Sequence, residues 1–214
     1  MASQENFIDL KPIQIMTPEQ SMLSYSWLVT PDDKYPPARW KTDVIIPAEY
    51  ALDIEKTLDA YWKAFTDKLK AAFPEKTKDD YKFNDLPWKW GEYPDLGLDN
   101  AFILKTNKKT EGPDGRKKPA PIMFDRDSYP TPLNDDQKQK YDKIGPGTTA
   151  QVGIYVSQYH MGVGTGIRLT PAAINIKNFK PFGKGQSVES WGFTGEKKAA
   201  TPGVGTPSTE DFDF

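Results

Sequence analysis

Between Pro47 and Pro74 the apolar residues Ala51, Ile54, Leu58, Tyr61, Trp62, Phe65, Leu69 and Phe73 recur at intervals of three and four. That is the period of a helix with one buried stripe. Asp53, Glu55, Lys56, Asp59, Lys63, Asp67 and Lys70 fill most of the opposite side. The spacing predicts a helix over residues 48–73, stopped by Pro74. The longer apolar runs elsewhere alternate instead, so this helix must bury its stripe against a sheet. Its polar side balances acid against base, which argues against a membrane surface as its seat.

The alternating runs supply that sheet. Leu10–Met16 reads as a short strand. In Ser21–Val29, Met22, Ser24, Ser26 and Leu28 fall on one face and Leu23, Tyr25, Trp27 and Val29 on the other. Strict alternation therefore puts Trp27 in the core beside Leu23 and Val29. Further strands are expected at Arg39–Ile46, Ala101–Thr106, Pro121–Asp125, Gln151–His160 and Ile167–Ile176. Residues 76–98 form a polar, aromatic insertion. Its Trp88, Trp90 and Tyr93 are expected to cover an open sheet end, with stacking on bases as the alternative. Residues 107–119 make a basic loop with a turn at its tip, and 134–142 one or two helical turns. Six or seven short strands with one inserted amphipathic helix predict a mainly β fold. The pattern suits a Greek-key barrel of the oligonucleotide/oligosaccharide-binding kind, the OB-fold. The 19 prolines and 16 glycines agree with short strands and long loops.

Composition removes several kinds of chemistry. No cysteine is present, so there is no disulfide framework, thiol nucleophile or thiolate metal site. No apolar run approaches the length of a membrane span, and Met1–Asn6 lacks the basic and apolar regions of a signal peptide. No phosphate-binding Gly-x-x-x-x-Gly-Lys-Ser/Thr loop occurs, and His160 is the single histidine. No nucleophile–His–acid set can be assembled, so the chain is not expected to be an enzyme and no cofactor is expected. Asp125-Arg126-Asp127 and Asp135-Asp136 are the acids that a magnesium-dependent nuclease would use, and that reading is the enzymatic alternative. A protein-interaction or virion component is the other.

Charge is distributed unevenly. The net charge is −2, yet residues 1–100 hold 12 Lys/Arg against 18 Asp/Glu, and residues 101–200 hold 16 against 9. Residues 201–214 form a short, apolar-poor acidic tail that ends Glu210-Asp211-Phe212-Asp213-Phe214. Such a segment is expected to be a disordered arm following a globular domain over 1–200.

The order of elements now resembles a known family. A strand ends in Val44-Ile45-Ile46-Pro47 and leads into the amphipathic helix. A basic loop precedes the Pro121-Ile122-Met123-Phe124-Asp125 strand. Then come Ile144-Gly145-Pro146-Gly147-Thr148-Thr149-Ala150-Gln151-Val152, a Tyr-bearing strand, residues 162–176 and the Phe-terminated acidic tail. This is similar to the single-stranded DNA-binding proteins of short-tailed bacteriophages. The resemblance implies an OB-fold that binds single strands with little sequence preference in phage DNA replication, recombination and repair. It implies a phage-encoded protein working in the host cytoplasm, and a tail that contacts the phage DNA polymerase and other replisome proteins. It also implies a possible homodimer and no membrane partner.

Single-strand binding needs cations along the phosphates and flat rings for the bases. The candidates for phosphate contact are Lys105, Lys108, Lys109, Arg116, Lys117, Lys118 and Arg168. Tyr155 and Tyr159 lie opposite Val152, Ile154 and Val156 and form the best stacking pair. Trp40 and Phe179 sit at strand ends, where rings are more often core. In the tail, Glu210, Asp211 and Asp213 mimic phosphates and Phe212 or Phe214 mimics a base, so the tail is expected to compete with DNA for the groove.

Overall fold

The predicted helix is present as α1 (Leu52–Ala72) in a computed structural model, which describes residues 10–112, 114–161 and 164–183. Its buried side chains are Ile54, Leu58, Tyr61, Phe65 and Leu69, a single stripe. Burying five such side chains contributes about 10 kcal/mol of gross hydrophobic stabilisation. Asp53 and Glu55 lie in the first turn and Lys70 in the last, each complementing the helix dipole. The helix ends at Phe73, whose N–H still reaches the Leu69 carbonyl at 3.1 Å. Pro74 lacks the N–H needed to continue the ladder, and it disfavours helical geometry in the residue before it.

The described residues form eight strands. They are β1 (Ile13–Met16), β2 (Met22–Asp32), β3 (Arg39–Pro47), β4 (Trp88–Tyr93), β5 (Leu98–Lys109), β6 (Ile122–Asp125), β7 (Thr148–Met161) and β8 (Gly164–Asn178). They pair in the order β4-β5-β3-β2-β7-β8-β6, with β1 added beside β7. β5 also packs beside β8. Strands β2, β3, β5, β8 and β7 therefore come round as a five-stranded Greek-key barrel, as expected of a mainly β OB-type fold with an inserted helix. A short helix, α2 (Asp135–Lys138), begins at Asn134, whose side-chain oxygen accepts from the Gln137 N–H at 2.9 Å. Among the described residues no helix is long and apolar enough to cross a membrane.

Inward residues of the strands and the stripe of α1 make one core, including Leu23, Leu28, Val44, Ile46, Phe102, Leu104, Val152, Ile154, Val156 and Leu169. Tyr61 on α1 donates from its hydroxyl to Gln158 Oε1 of β7 at 2.5 Å, which fixes the helix to the barrel. The expected aromatic insertion is in part a strand. β4 extends the sheet beyond β5 from Trp88↔Leu104 to Tyr93↔Leu98. Its indole N–H groups donate to acids of α1, Trp88 to Asp59 at 3.3 Å and Trp90 to Glu55 at 2.6 Å. The strand is held from one side by a ladder and from the other by the helix, which its proline-flanked sequence did not announce.

The expected core position of Trp27 is wrong, and the register explains it. Ser24 pairs with Asp43 and Trp27 pairs with Lys41, so β2 spends one residue more than β3 between them. That is a β-bulge, and Tyr25 takes the left-handed conformation there, at φ 47. The extra residue reverses the inside–outside alternation. Trp27 thus comes out beside Lys41 at 45% exposure, while Leu28 takes the core position at 2%.

Candidate nucleic-acid interface

The ladder between β3 and β5 runs without a break from Arg39↔Lys109 to Pro47↔Ala101. Side chains at odd positions therefore share one face and those at even positions the other. The even face is the barrel interior, with Trp40, Thr42, Val44, Phe102, Leu104 and Thr106 buried. The odd face lies outside the barrel, covered toward Pro47, where Ile45, Ala101 and Ile103 are buried in a second small cluster, and open toward Arg39. It carries Arg39, Lys41 and Asp43 on β3, opposite Lys109, Asn107 and Lys105 on β5. β2 adds Trp27 next to Lys41, and the bulge presents Tyr25 at 70% exposure. The link from β2 to β3 holds the exposed Tyr35, with the Lys34 ammonium 5.5 Å from its ring centroid.

Four cations thus line one sheet face with two exposed rings at its side. Lys105 and Lys109 are exposed, while Arg39 and Lys41 are partly covered. Lys41 forms an ion pair with Asp32. The Lys41 ammonium, followed by the Lys34 backbone N–H, holds the Asp32 carboxyl below the usual range.

The cations expected between 105 and 118 do not share one face. Lys105 and Lys109 share the outer face. Lys108 falls on the other side of the same strand, opposite buried Trp40. Burial, and after it the charge of nearby Lys118, lowers the Lys108 pKa. The expected basic loop starts later than residue 107, because β5 runs to Lys109. Beyond it Glu111 and Lys117 form a bridge across the turn, and the Lys118 N–H donates to the Thr110 carbonyl at 2.7 Å. Arg116 is at the tip, paired with Asp114 at 2.7 Å.

Tyr155 and Tyr159 share the outer face of β7, as the alternation predicts, with Val152, Ile154 and Val156 buried on the other. They differ in setting. Tyr155 is 45% exposed, lying between Gln14 of β1 and Thr170 of β8. Tyr159 is half-buried, and its hydroxyl accepts from Asn84 Nδ2 at 2.7 Å. Its ring lies across Gly166, where an added Cβ would meet the Tyr159 hydroxyl at 2.9 Å, so only glycine permits that approach. The Arg168 guanidinium is 5.5 Å from the same ring centroid, a cation–π distance. Arg168 is exposed on β8, the strand that packs beside β5. The two tyrosines and the β5 lysines therefore occupy different strands of one barrel, with β8 between them.

Trp40 is buried and Phe179 packs edge-on to Tyr141 at 5.0 Å, so both strand-end rings serve the core. His160 bonds Thr165 Oγ1 through Nδ1 at 2.7 Å and lies between the rings of Phe73 and Tyr81. Burial, then the charge of Lys76, lowers its pKa. The acids considered for magnesium do not converge. Asp125 is buried and accepts from Lys140 Nζ and the Tyr141 hydroxyl at 2.7 Å each, and from the Ser128 N–H at 2.8 Å. Burial opposes its ionisation, but these hydrogen bonds outweigh it and hold the carboxyl well below the usual carboxylate range. Its lone pairs are spent on the fold. Asp135 pairs with Lys138 at 3.0 Å. The tail residues Glu210, Asp211, Phe212, Asp213 and Phe214 lie outside the described residues.

Sequence reasoning did not count Tyr25, Trp27, Arg39 and Lys41 among the candidates for this face. For Arg39 and Lys41 the signal was present, since both alternate with Trp40 on a strand that was expected.

Neither protein-family models nor curated proteins match this sequence. Solved structures do. The crystal structure of gp2.5, a single-stranded DNA-binding protein encoded by bacteriophage T7, superposes with a TM-score of 0.58 at 15% identity, covering 90% of this chain and 100% of that one. The single-stranded DNA-binding protein from bacteriophage Enc34 gives 0.53 at 16% identity, over 85% of this chain and 89% of that one. The same Enc34 protein in complex with single-stranded DNA gives 0.55 at 14% identity, over 80% and 89%. The chain shares its fold with these phage proteins.

Proposed function

We propose that this protein binds single-stranded DNA with little sequence preference across the outer face of β2, β3 and β5. The carrying observation is that face itself. Arg39, Lys41, Lys105 and Lys109 stand in register on adjacent strands, and Tyr25 and Trp27 stand beside them. The strand 2–strand 3 face is where OB-folds take oligonucleotides, and β3 and β5 are those strands here. Cations neutralise phosphates without reading sequence, and every base has a face that can stack on a ring. The likeness in fold to phage single-stranded DNA-binding proteins supports the reading. Arg168 stands on β8, the strand beside β5, and Tyr159 and Tyr155 stand on β7 beyond it.

The role follows from the activity. The protein coats exposed strands during phage DNA replication, recombination and repair, in the cytoplasm of an infected host. Its acidic tail competes with DNA for the basic face, and when displaced it recruits the polymerase and other replication proteins. Two titrations test this, oligo(dT) against the full chain at two salt concentrations and against a chain lacking residues 208–214. Binding that falls steeply with salt supports the first part. Tighter binding by the shortened chain, together with its loss of polymerase contact in a pull-down, supports the second. A full chain that ignores oligo(dT) at low salt overturns the reading.

A further inference from the structure

The basic face contains two acids, of which Asp32, opposite Arg39, is paired with Lys41 and the other is not paired. Asp43 sits on the outer side of β3, with Ser24 of β2 across one ladder and Lys105 of β5 across the other. It is half-buried, and its carboxylate has no hydrogen-bond or ion-pair partner among the described residues. Burial raises its pKa in spite of the charges of Lys105, Lys41 and Lys89. For a surface that only has to attract phosphates this residue is out of place, because it repels them and costs stability where it stands.

Its neighbours show what it faces. Tyr25 projects from the bulge one residue after Ser24, and Trp27 stands beside Lys41, the next outward position on β3. Tyr25 and Asp43 both lie close enough to act electrostatically on the Tyr93 hydroxyl. That hydroxyl is already bonded to Ser24 Oγ at 2.6 Å. The Tyr93 proton is thus spent on Ser24, and the carboxylate is left as the unused acceptor beside two exposed rings.

We propose that Asp43 reads the edge of a base stacked on Tyr25 or Trp27, and that it favours guanine. A carboxylate offers two acceptors side by side. Guanine is the base whose Watson–Crick edge presents two adjacent donors, N1–H and the N2 amino group. Thymine presents N3–H between two carbonyl oxygens that repel the carboxylate, and cytosine and adenine present one amino group beside an acceptor nitrogen. The proposal rests on the reading of this face as a single-strand interface, and it gives a surface otherwise indifferent to sequence a bias toward one base.

The test compares three labelled oligonucleotides on the full chain, in lithium buffer to suppress four-stranded structures. They are oligo(dT), alternating dT–dG, and alternating dT–deoxyinosine, which lacks only the N2 amino group of guanine. The wild type is expected to bind dT–dG about three- to tenfold more tightly than dT–deoxyinosine. Asp43→Asn should bring that ratio below about twofold while tightening binding to oligo(dT), since a repulsive charge is removed. Asp43→Asn should also melt no lower than the wild type, and Asp43→Ser should lose the same bias. If both variants gain affinity equally for all three strands, Asp43 acts only through its charge, and the proposal fails while the single-strand reading stands. If the wild type binds none of the three at low salt, both fail together.

Discussion

Replacing Trp27 by alanine separates two accounts of β2. If the ring were in the core, as unbroken alternation requires, its truncation would cost about 3–5 kcal/mol. For a chain of this length each kcal/mol lowers Tm by about 2–4 °C, so Tm would fall by roughly 6–20 °C. The bulge puts the ring outside instead, 45% exposed beside Lys41. Trp27→Ala should then lower Tm by no more than about 4 °C. The loss appears in binding. One stacked base is worth about 1–3 kcal/mol, so affinity for oligo(dT) should drop by about five- to a hundredfold. The salt dependence should not change, because an indole neutralises no phosphate. Anisotropy of a labelled oligonucleotide reads affinity without relying on the tryptophan that was removed. Trp40→Ala is the internal control. Its ring is on the adjacent strand, but 8% exposed, and it should show the large fall in Tm. A Trp27→Ala protein that loses stability like the Trp40 variant, or that binds oligo(dT) as the wild type does, would refute the reasoning.

Two further predictions come from charge. If Arg39, Lys41, Lys105 and Lys109 each meet a phosphate, the logarithm of affinity should fall against the logarithm of salt with a slope of about −3, and Lys105→Gln with Lys109→Gln should reduce it to about −1.4; an unchanged slope would remove those lysines from the interface. The depressed pKa of Asp125 means that its stabilisation is fully present above the unfolded value, about 3.9, and is lost as pH falls through the folded value. Asp125→Asn should therefore cost about 1–3 kcal/mol in urea unfolding at neutral pH, discounted for the half-exposed Lys140, and the gap to wild type should close as the medium becomes acid; a gap that persists at acid pH would argue that packing, not charge, holds the turn.

What the sequence made legible was periodicity, and what it hid was phase. Ile54, Leu58, Tyr61, Phe65 and Leu69 announced α1, and Val152, Ile154 and Val156 announced the inner face of β7, because each pattern runs unbroken. In β5 the same rule already separates Lys105 and Lys109 from Lys108, once the strand is allowed to continue into what reads as a basic loop. β4 was hidden by composition. Prolines flank it, and its partners, Asp59 and Glu55 on α1, are far away in the chain. Trp27 was hidden by the bulge, since one left-handed residue leaves no mark on hydropathy. Asp43 could be read as an outward residue, but its lack of a partner is visible only in three dimensions.

The spare residue at Tyr25 has a consequence for how this chain tolerates change. Upstream of it β2 is written in one reading frame of solvent and interior, and downstream in the other. Losing the Tyr25 codon would barely alter composition, charge or mean hydropathy. It would bring Ser26 opposite Thr42 and leave Ser24 opposite Asp43 and Trp27 opposite Lys41, so Trp27 would stay outside and Leu28 inside. The bulge is therefore a place where this strand can give up a residue and keep both its faces, at the cost of one exposed ring.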